Sequence, residues 1–297
     1  MTTHARLILA RTVPGSVMAD YASLFEHLVA APQARSKPWL VVPSLQRRFP
    51  FPAANSPPWQ LEAALRALHG AGVRDVTVWL PPRDYSLHVY ADLVARYGAS
   101  LTATPEMAGQ PHGLLLLPTL SRGPRFALGG SCWLAHQLIS AGAGSQGAAL
   151  DSVLAVQQLF EPIICLMDAT TVGNGPPGRT TQPEVGNFLL GANDMTVLDR
   201  FACTLLDIDP AASMPFVLEA ARLTGAPAPQ AVLAGDRELA VLRFRPHRSR
   251  RYHIPPAFHR WPSGDQRVYT AWLYETAWGR LFASYYQPRP GVVAKAF

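Results

Sequence analysis

A chain of 297 residues that is 48% hydrophobic and only 15% charged is too apolar to stay disordered, so it folds as one large domain or two intimate ones. The net charge of +6 invites a nucleic-acid reading, but of the 26 basic residues only Lys37 and Lys295 are lysine, and arginine suits two-pronged binding of a small carboxylate or phosphate. Cys132, Cys165 and Cys203 contain no C-x-x-C pair, which argues against a disulfide framework and against a zinc or iron–sulfur site, and the absence of a leader-like start or a long uncharged apolar stretch predicts an unexported, cytoplasmic protein with no membrane span.

In chain order, Leu7 to Ala10 reads as a short strand and Ala19 to Ala30 as a helix with Tyr21, Leu24, Phe25 and Leu28 on one face. Trp39 to Val42 is a strand stopped by Pro43. After a Pro-rich loop, a helix over Trp59 to His69, ended by Gly70 and Gly72, feeds the strand Val76 to Leu80. Leu87 to Tyr97 is a helix, Leu114 to Leu117 a strand, Thr119 to Gly130 a glycine- and arginine-bearing loop, and Cys132 to Ser140 a helix. Residues 141–147, AGAGSQG, form the best internal boundary. Beyond it the spacing predicts a helix over Leu150 to Leu159, a strand over Ile163 to Asp168 and a long loop dense in Gly, Pro and Thr. A strand over Phe188 to Leu190, helices over Asp194 to Leu206 and Ala211 to Leu223, and a strand over Leu239 to Phe244 follow. The alternation predicts an α/β fold over residues 1–245, with a mostly parallel central sheet and helices on both faces. Residues 246–297 make a basic, aromatic C-terminal extension: an Arg-rich stretch with His247, His253 and His259, then an amphipathic helix over Val268 to Tyr286. It reads either as an appendage over the sheet or as a partner-binding arm.

An aspartate that ends a buried strand ahead of a glycine-rich loop stands where open α/β sheets bind ligands. Asp168 with Gly173, Asn174, Gly175 and Pro176 has that arrangement, and small residues let backbone N–H groups approach an anion; an ordinary Asx turn uses the same residue types. Asn193 and Asp194 stand where a helix cap would. Asp199 lies among apolar residues of the same helix and calls for a positive partner, for which Arg47, Arg122 and Arg125 are candidates. His112 and His136 are candidate general bases. The spacing of the three arm histidines fits no usual zinc site, and no metal ligands are assigned.

Two functional readings follow. In the first, a cytoplasmic α/β enzyme holds an anionic small molecule at the carboxyl ends of its strands. Asp168, Asp199 and Asp194 serve as acid/base or ligand-orienting carboxylates, and Arg47, Arg122, Gly173, Asn174, Gly175 and Asn193 bind the substrate for redox or isomerase-type chemistry with no cofactor assigned. In the second, a non-catalytic accessory or scaffold protein docks a protein partner, or a second copy of itself, through its low-charge surface and C-terminal arm. Nucleic acid is not the expected partner in either.

Asp168, the VGNGP turn, the segment NFLLGAN and the stretch NDMTVLDRFACTLLDIDP carry a resemblance. The chain resembles the bacterial and archaeal domain-of-unknown-function family numbered 362, in which a strand ending V-D reaches a G-x-G-P turn, then a strand ending in Gly and a D-P-V-A-V-D-x-V-A segment. Asp168, Gly173, Gly175, Pro176, Gly191, Asp194, Val197, Asp199 and Pro210 match. VVPSLQ, PPWQLEAALRALHGAGVRDVTV and LLLLPTLSRG are similar to the family's K-P-N-L, helix–Gly–strand and P-K-L-K-T-H segments, so the likeness spans residues 39–210. The family's lysines are replaced by Val42, Thr119 and Ser121, its Asn by Ser44 and its Thr-His pair by Arg122-Gly123, and the ferredoxin-like segment of many relatives is absent. The resemblance implies an α/β fold and supplies no reaction.

Overall fold

The computed structural model describes residues 4–29, 31–45, 54–80, 87–103, 112–122, 128, 130–140, 146–174, 182–244 and 272–286. Arg47, Arg125, Gly175, Pro176 and the Arg- and His-rich stretch from Arg245 to Trp261 lie outside them, as does most of the boundary at 141–147.

Among the described residues nine strands form one sheet: β1 (Leu7–Arg11), β2 (Trp39–Pro43), β3 (Val76–Trp79), β4 (Ser100–Thr102), β5 (His112–Leu117), β6 (Thr119–Ser121), β7 (Phe160–Asn174), β8 (Gln182–Ala192) and β9 (Leu233–Gly235). Their order is β4-β3-β2-β5-β7-β8-β1-β9, with β6 paired to β7 beyond the end of β5. β8 alone runs against its neighbours, so the fold is α/β with a mostly parallel sheet. β2 and β5 are buried nearly throughout, which explains their unbroken apolar runs: a parallel strand with both faces covered has no polar alternation.

Two cores flank the sheet. On one face α1 (Val17–Leu28), α3 (Pro58–Gly70) and α4 (Leu87–Arg96) pack on Val41, Leu115, Ile164, Leu166 and Leu189. On the other, α5 (Ser131–Ser140), α6 (Gln146–Leu159), α7 (Met195–Leu205) and α9 (Pro215–Thr224) pack on Val42, Leu116, Cys165, Met167 and Leu190. Helix α1 buries Val17, Tyr21, Leu24, Phe25 and Leu28 at helical spacing, α3 starts on Pro58 at its first position, and Gly225 closes α9 in the left-handed conformation. The strands before and after 141–147 share this sheet, since β5 pairs with β7.

Several elements differ from the sequence reading. Strand β7 does not stop at Asp168 but runs on to Asn174, paired with a β8 that begins at Gln182. Leu239 to Phe244 is no strand: Arg237–Val241 is a 3-10 turn, and β9 lies just before it. The single helix expected over Ala211 to Leu223 is broken at Pro215 into α8 (Pro210–Ser213) and α9, because that proline has no N–H to continue the ladder. The short helix α2 (Ala31–Arg35) was not anticipated. The C-terminal aromatic segment bends at Thr276, whose hydroxyl accepts the Gly279 N–H at 2.9 Å to start α10 (Ala277–Tyr285). That helix is part of the core on the α3 face. Trp278 and Phe282 are buried against Trp59, Trp278 donates to Asn187 Oδ1 at 2.7 Å, and Tyr285 donates to Glu62 Oε2 at 2.6 Å. No helix among the described residues is long and apolar enough to cross a membrane.

Candidate functional site at the carboxyl ends of the strands

Asp168 lies inside β7, level with Thr119 of β6 and Leu189 of β8 and just beyond the end of β5. Its carboxylate faces α1 and α3 and is fully buried. Oδ2 accepts from Tyr21 Oη at 2.8 Å and Trp59 Nε1 at 2.9 Å; Oδ1 accepts from Thr170 N at 3.0 Å and Thr170 Oγ1 at 2.7 Å. Burial pushes its pKa up, and the donors from Thr170, Tyr21 and Trp59 pull it back. Four donors on four acceptor positions suit the ionised form, because a neutral acid would turn its own proton against one of them. The same contact raises the Tyr21 hydroxyl, first by burial and then by the charge beside it. These bonds fasten α1 and α3 to β7 and leave no lone pair of Asp168 for a substrate.

Asp199 lies on the opposite face of the sheet. The partner expected for it was an arginine; it is the start of α5 instead, with Oδ1 accepting from Ser131 N and Oδ2 from Cys132 N, both at 2.8 Å. A carboxylate against two free N–H groups of a helix terminus is held by hydrogen bonds and by the helix dipole, so a cation is not required. Arg122 is on that face too, but its guanidinium donates to the carbonyl oxygens of Leu206 and, at 3.5 Å, Phe244. Burial lowers its pKa. Asp194 caps α7 through Oδ1, accepting from Thr196 N at 2.8 Å and Val197 N at 3.0 Å, and Asn193 ties Arg6 N at 2.6 Å to the His4 carbonyl at 3.1 Å. Both lie at the amino-end edge of the parallel strands, away from Asp168, because β8 runs in reverse.

Asp168, Asp199 and Asp194 therefore do not share one hollow. Gly173 and Asn174 are strand residues paired with Pro183 and Gln182, and Asn174 Nδ2 donates to Glu184 Oε2 at 2.9 Å. His136 is buried in α5 with Nδ1 3.3 Å from Ser152 Oγ, and His112 begins β5 at the amino-end edge. The three thiols are buried, and burial holds Cys203 at about 12, far from the reactive thiolate range. Among the described residues no group of three or more His, Cys, Asp and Glu is placed to hold a metal ion.

Burial pushes Asp199 up to about 6 against the pull of its N–H donors. An unfolded aspartate loses its proton near pH ~3.9, so between that pH and about 6 the folded chain holds a proton that the unfolded chain has released. The contribution of this group is thus greatest below about pH 4 and is lost as pH rises through about 6, by roughly 3 kcal/mol in all. Urea midpoints at pH 5 and pH 7, in wild type and in Asp199→Asn, check this: the wild type is expected to lose stability over that interval relative to the variant, and parallel midpoints would reject the assignment.

A different set of side chains meets at the carboxyl ends of the strands. From β2 the chain passes to β3 on one side, whereas β5 lies on the other, so the strand order reverses between β2 and β5. Around these strand ends Ser44, Ser56, Gln60, Thr119, Ser121 and Thr171 are all buried. Ser56 Oγ accepts from Ser44 N at 2.7 Å and donates to the Leu117 carbonyl at 2.5 Å. Gln60 Nε2 donates to the carbonyls of Pro118 at 2.9 Å and Leu166 at 2.6 Å. The Gln60 Oε1 and Thr171 Oγ1 atoms are buried and hold no hydrogen bond among the described residues. Beside Thr171 the ladder is irregular: β7 bulges between Ala169 and Thr171, Asn187 takes a φ of 60°, and a Cβ on Gly186 would lie 2.2 Å from the Ala169 carbonyl oxygen. The sequence reading singled out charged residues, which the fold distributes over both faces and both edges of the sheet, and passed over the hydroxyl residues that directly follow apolar strands. No family model matches the chain, nor does any curated protein.

Proposed function

We propose that the protein binds a small polar molecule with an anionic group in the crevice outside the carboxyl ends of β2 and β5. The observation that carries this reading is a pair of buried atoms with no hydrogen bond among the described residues, Gln60 Oε1 and Thr171 Oγ1, in a set of buried hydroxyl and amide side chains near the point where the strand order reverses. Open α/β sheets take their ligands at that point, and a buried polar atom without a partner costs about 1 to 3 kcal/mol unless water or a ligand meets it. Charge supports the anionic class. The segments 46–53, 81–86, 104–111, 123–127 and 175–181 continue in sequence from the carboxyl ends of β2, β3, β4, β6 and β7, and they carry Arg47, Arg48, Arg83, Arg125 and Arg179 against Asp84 and Glu106. Ser44, Thr119, Ser121 and Asp168, all within the segments that resemble family 362, are buried near the same strand ends. Of the arm that the docking alternative invokes, the aromatic α10 is packed into the protein's own core, and the Arg-rich stretch lies outside the described residues.

Thr171→Val tests the reading. Removing an unpaired buried hydroxyl while keeping the side-chain shape is expected to stabilise the free protein by about 1 kcal/mol. Phosphate and citrate, titrated at fixed ionic strength, are expected to raise the melting temperature of wild type and to raise that of Thr171→Val much less. A wild type indifferent to both anions, or a variant that responds as strongly, would rule the crevice out as their site.

A further inference from the structure

The crevice above leaves unexplained a cleft at the opposite edge of the sheet. Strand β7 begins at Phe160, but its antiparallel pairing with β8 begins only at Cys165 opposite Ala192; past Ala192 the chain turns away through Asn193 and Asp194 into α7. The start of β7 is thereby left without a paired strand on that side among the described residues, and beside it lies a cleft of about 300 Å³, the low end of the range for small-molecule sites. Leu28, Phe160, Ile163 and Met195 give it apolar walls.

Two acceptors of the lining have no donor among the described residues. Asp194 makes all of its capping bonds through Oδ1, which leaves Oδ2 unused. Gln157 Oε1 is buried and holds no hydrogen bond among the described residues. Glu161 is a second acidic residue of the lining, and the base there, Lys37, donates from Nζ to the Glu161 main-chain carbonyl at 2.7 Å. The residues of the lining thus include two acids, Asp194 and Glu161, and one base, Lys37, on a chain whose formal charge is +6.

We propose that this cleft is a second ligand site, for a small organic cation: a primary ammonium on a short apolar body, with its N–H groups on Asp194 Oδ2 and Gln157 Oε1 and its body against the apolar walls. An ammonium supplies three donors and no acceptor, which suits two acceptors that no donor among the described residues meets.

Phenethylammonium is the probe, and phenylacetate, with the same ring and the opposite charge, is its control. Both are titrated at fixed ionic strength by calorimetry and thermal unfolding. The ammonium is expected to bind and to raise the melting temperature, and phenylacetate is not. Asp194→Asn keeps the helix cap, because asparagine caps as well as aspartate, yet removes the charge. Asp194→Asn and Gln157→Leu are each expected to weaken binding by about tenfold or more. Thr171→Val is expected to leave it unchanged, which separates this site from the carboxyl-end crevice. Absent binding, equal binding of phenylacetate, unaltered affinity in both cleft variants, or loss of affinity in Thr171→Val would each overturn the proposal.

Discussion

Replacing Asp168 by alanine is expected to lower the free energy of unfolding by roughly 3 to 5 kcal/mol, a large share of the ~5 to 15 kcal/mol that holds most domains together. The change empties the one acceptor shared by Tyr21, Trp59 and Thr170, and none of these donors has water to turn to, since the site is fully buried. Asp168→Asn should be only somewhat milder: whichever way the amide is turned, two of the four donors meet an NH2 group. Tyr21→Phe removes one bond and should cost about 1 to 1.5 kcal/mol. Because the hydroxyl and the carboxylate act together, the double variant should lose less than the sum of the single ones. Denaturant midpoints for the four proteins give that comparison. A loss below about 1 kcal/mol in Asp168→Ala, or strict additivity, would mean that the carboxylate is not the structural hub described above, and a catalytic role for it would regain force.

That hub also marks where sequence reasoning runs out. Strands β2, β3 and β5 and helices α3 and α7 were legible because a strand buried on both faces is a plain apolar run and an amphipathic helix repeats its apolar face. Strand β7 was cut short at Asp168 because a charge inside an apolar run looks like its end. What makes the charge tolerable are Tyr21 and Trp59, 147 and 109 residues away, and nothing local announces them. The β-branched Thr170, Thr171 and Val172 that continue the strand were the missed local signal. Strands β4, β6 and β9 have three residues each, too few to show a period. For the candidate site residues, a buried carboxylate could be expected from its apolar neighbours, whereas the face and the sheet edge of each side chain could not. Asp168 and Asp199 read alike as buried carboxylates, and the sheet lies between them.

Gly130→Ala is expected to destabilise by roughly 2 to 4 kcal/mol, the sum of an overpacking strain of about 1 to 3 kcal/mol and a lost helix cap of about 1 kcal/mol. A Cβ at this position would stand 2.3 Å from Asp199 Oδ1 and 2.6 Å from its Cγ, so the carboxylate must leave the start of α5. Displaced, it surrenders the N–H groups of Ser131 and Cys132, which hold its pKa down, while remaining buried. The loss should therefore be larger at pH 8, where the charged form is required, than at pH 5. Two glycines elsewhere in the chain provide the contrast: nothing stands within 4 Å of a Cβ at Gly15 or Gly70, and alanine there should change stability by less than about 1 kcal/mol. Asp199→Ala supplies the decisive background, because it empties the space that the new methyl needs. In that background the added cost of Gly130→Ala should shrink to below about 1 kcal/mol. If the full cost persists without the carboxylate, the strain lies in the backbone at residue 130, and Asp199 is not what makes glycine necessary there.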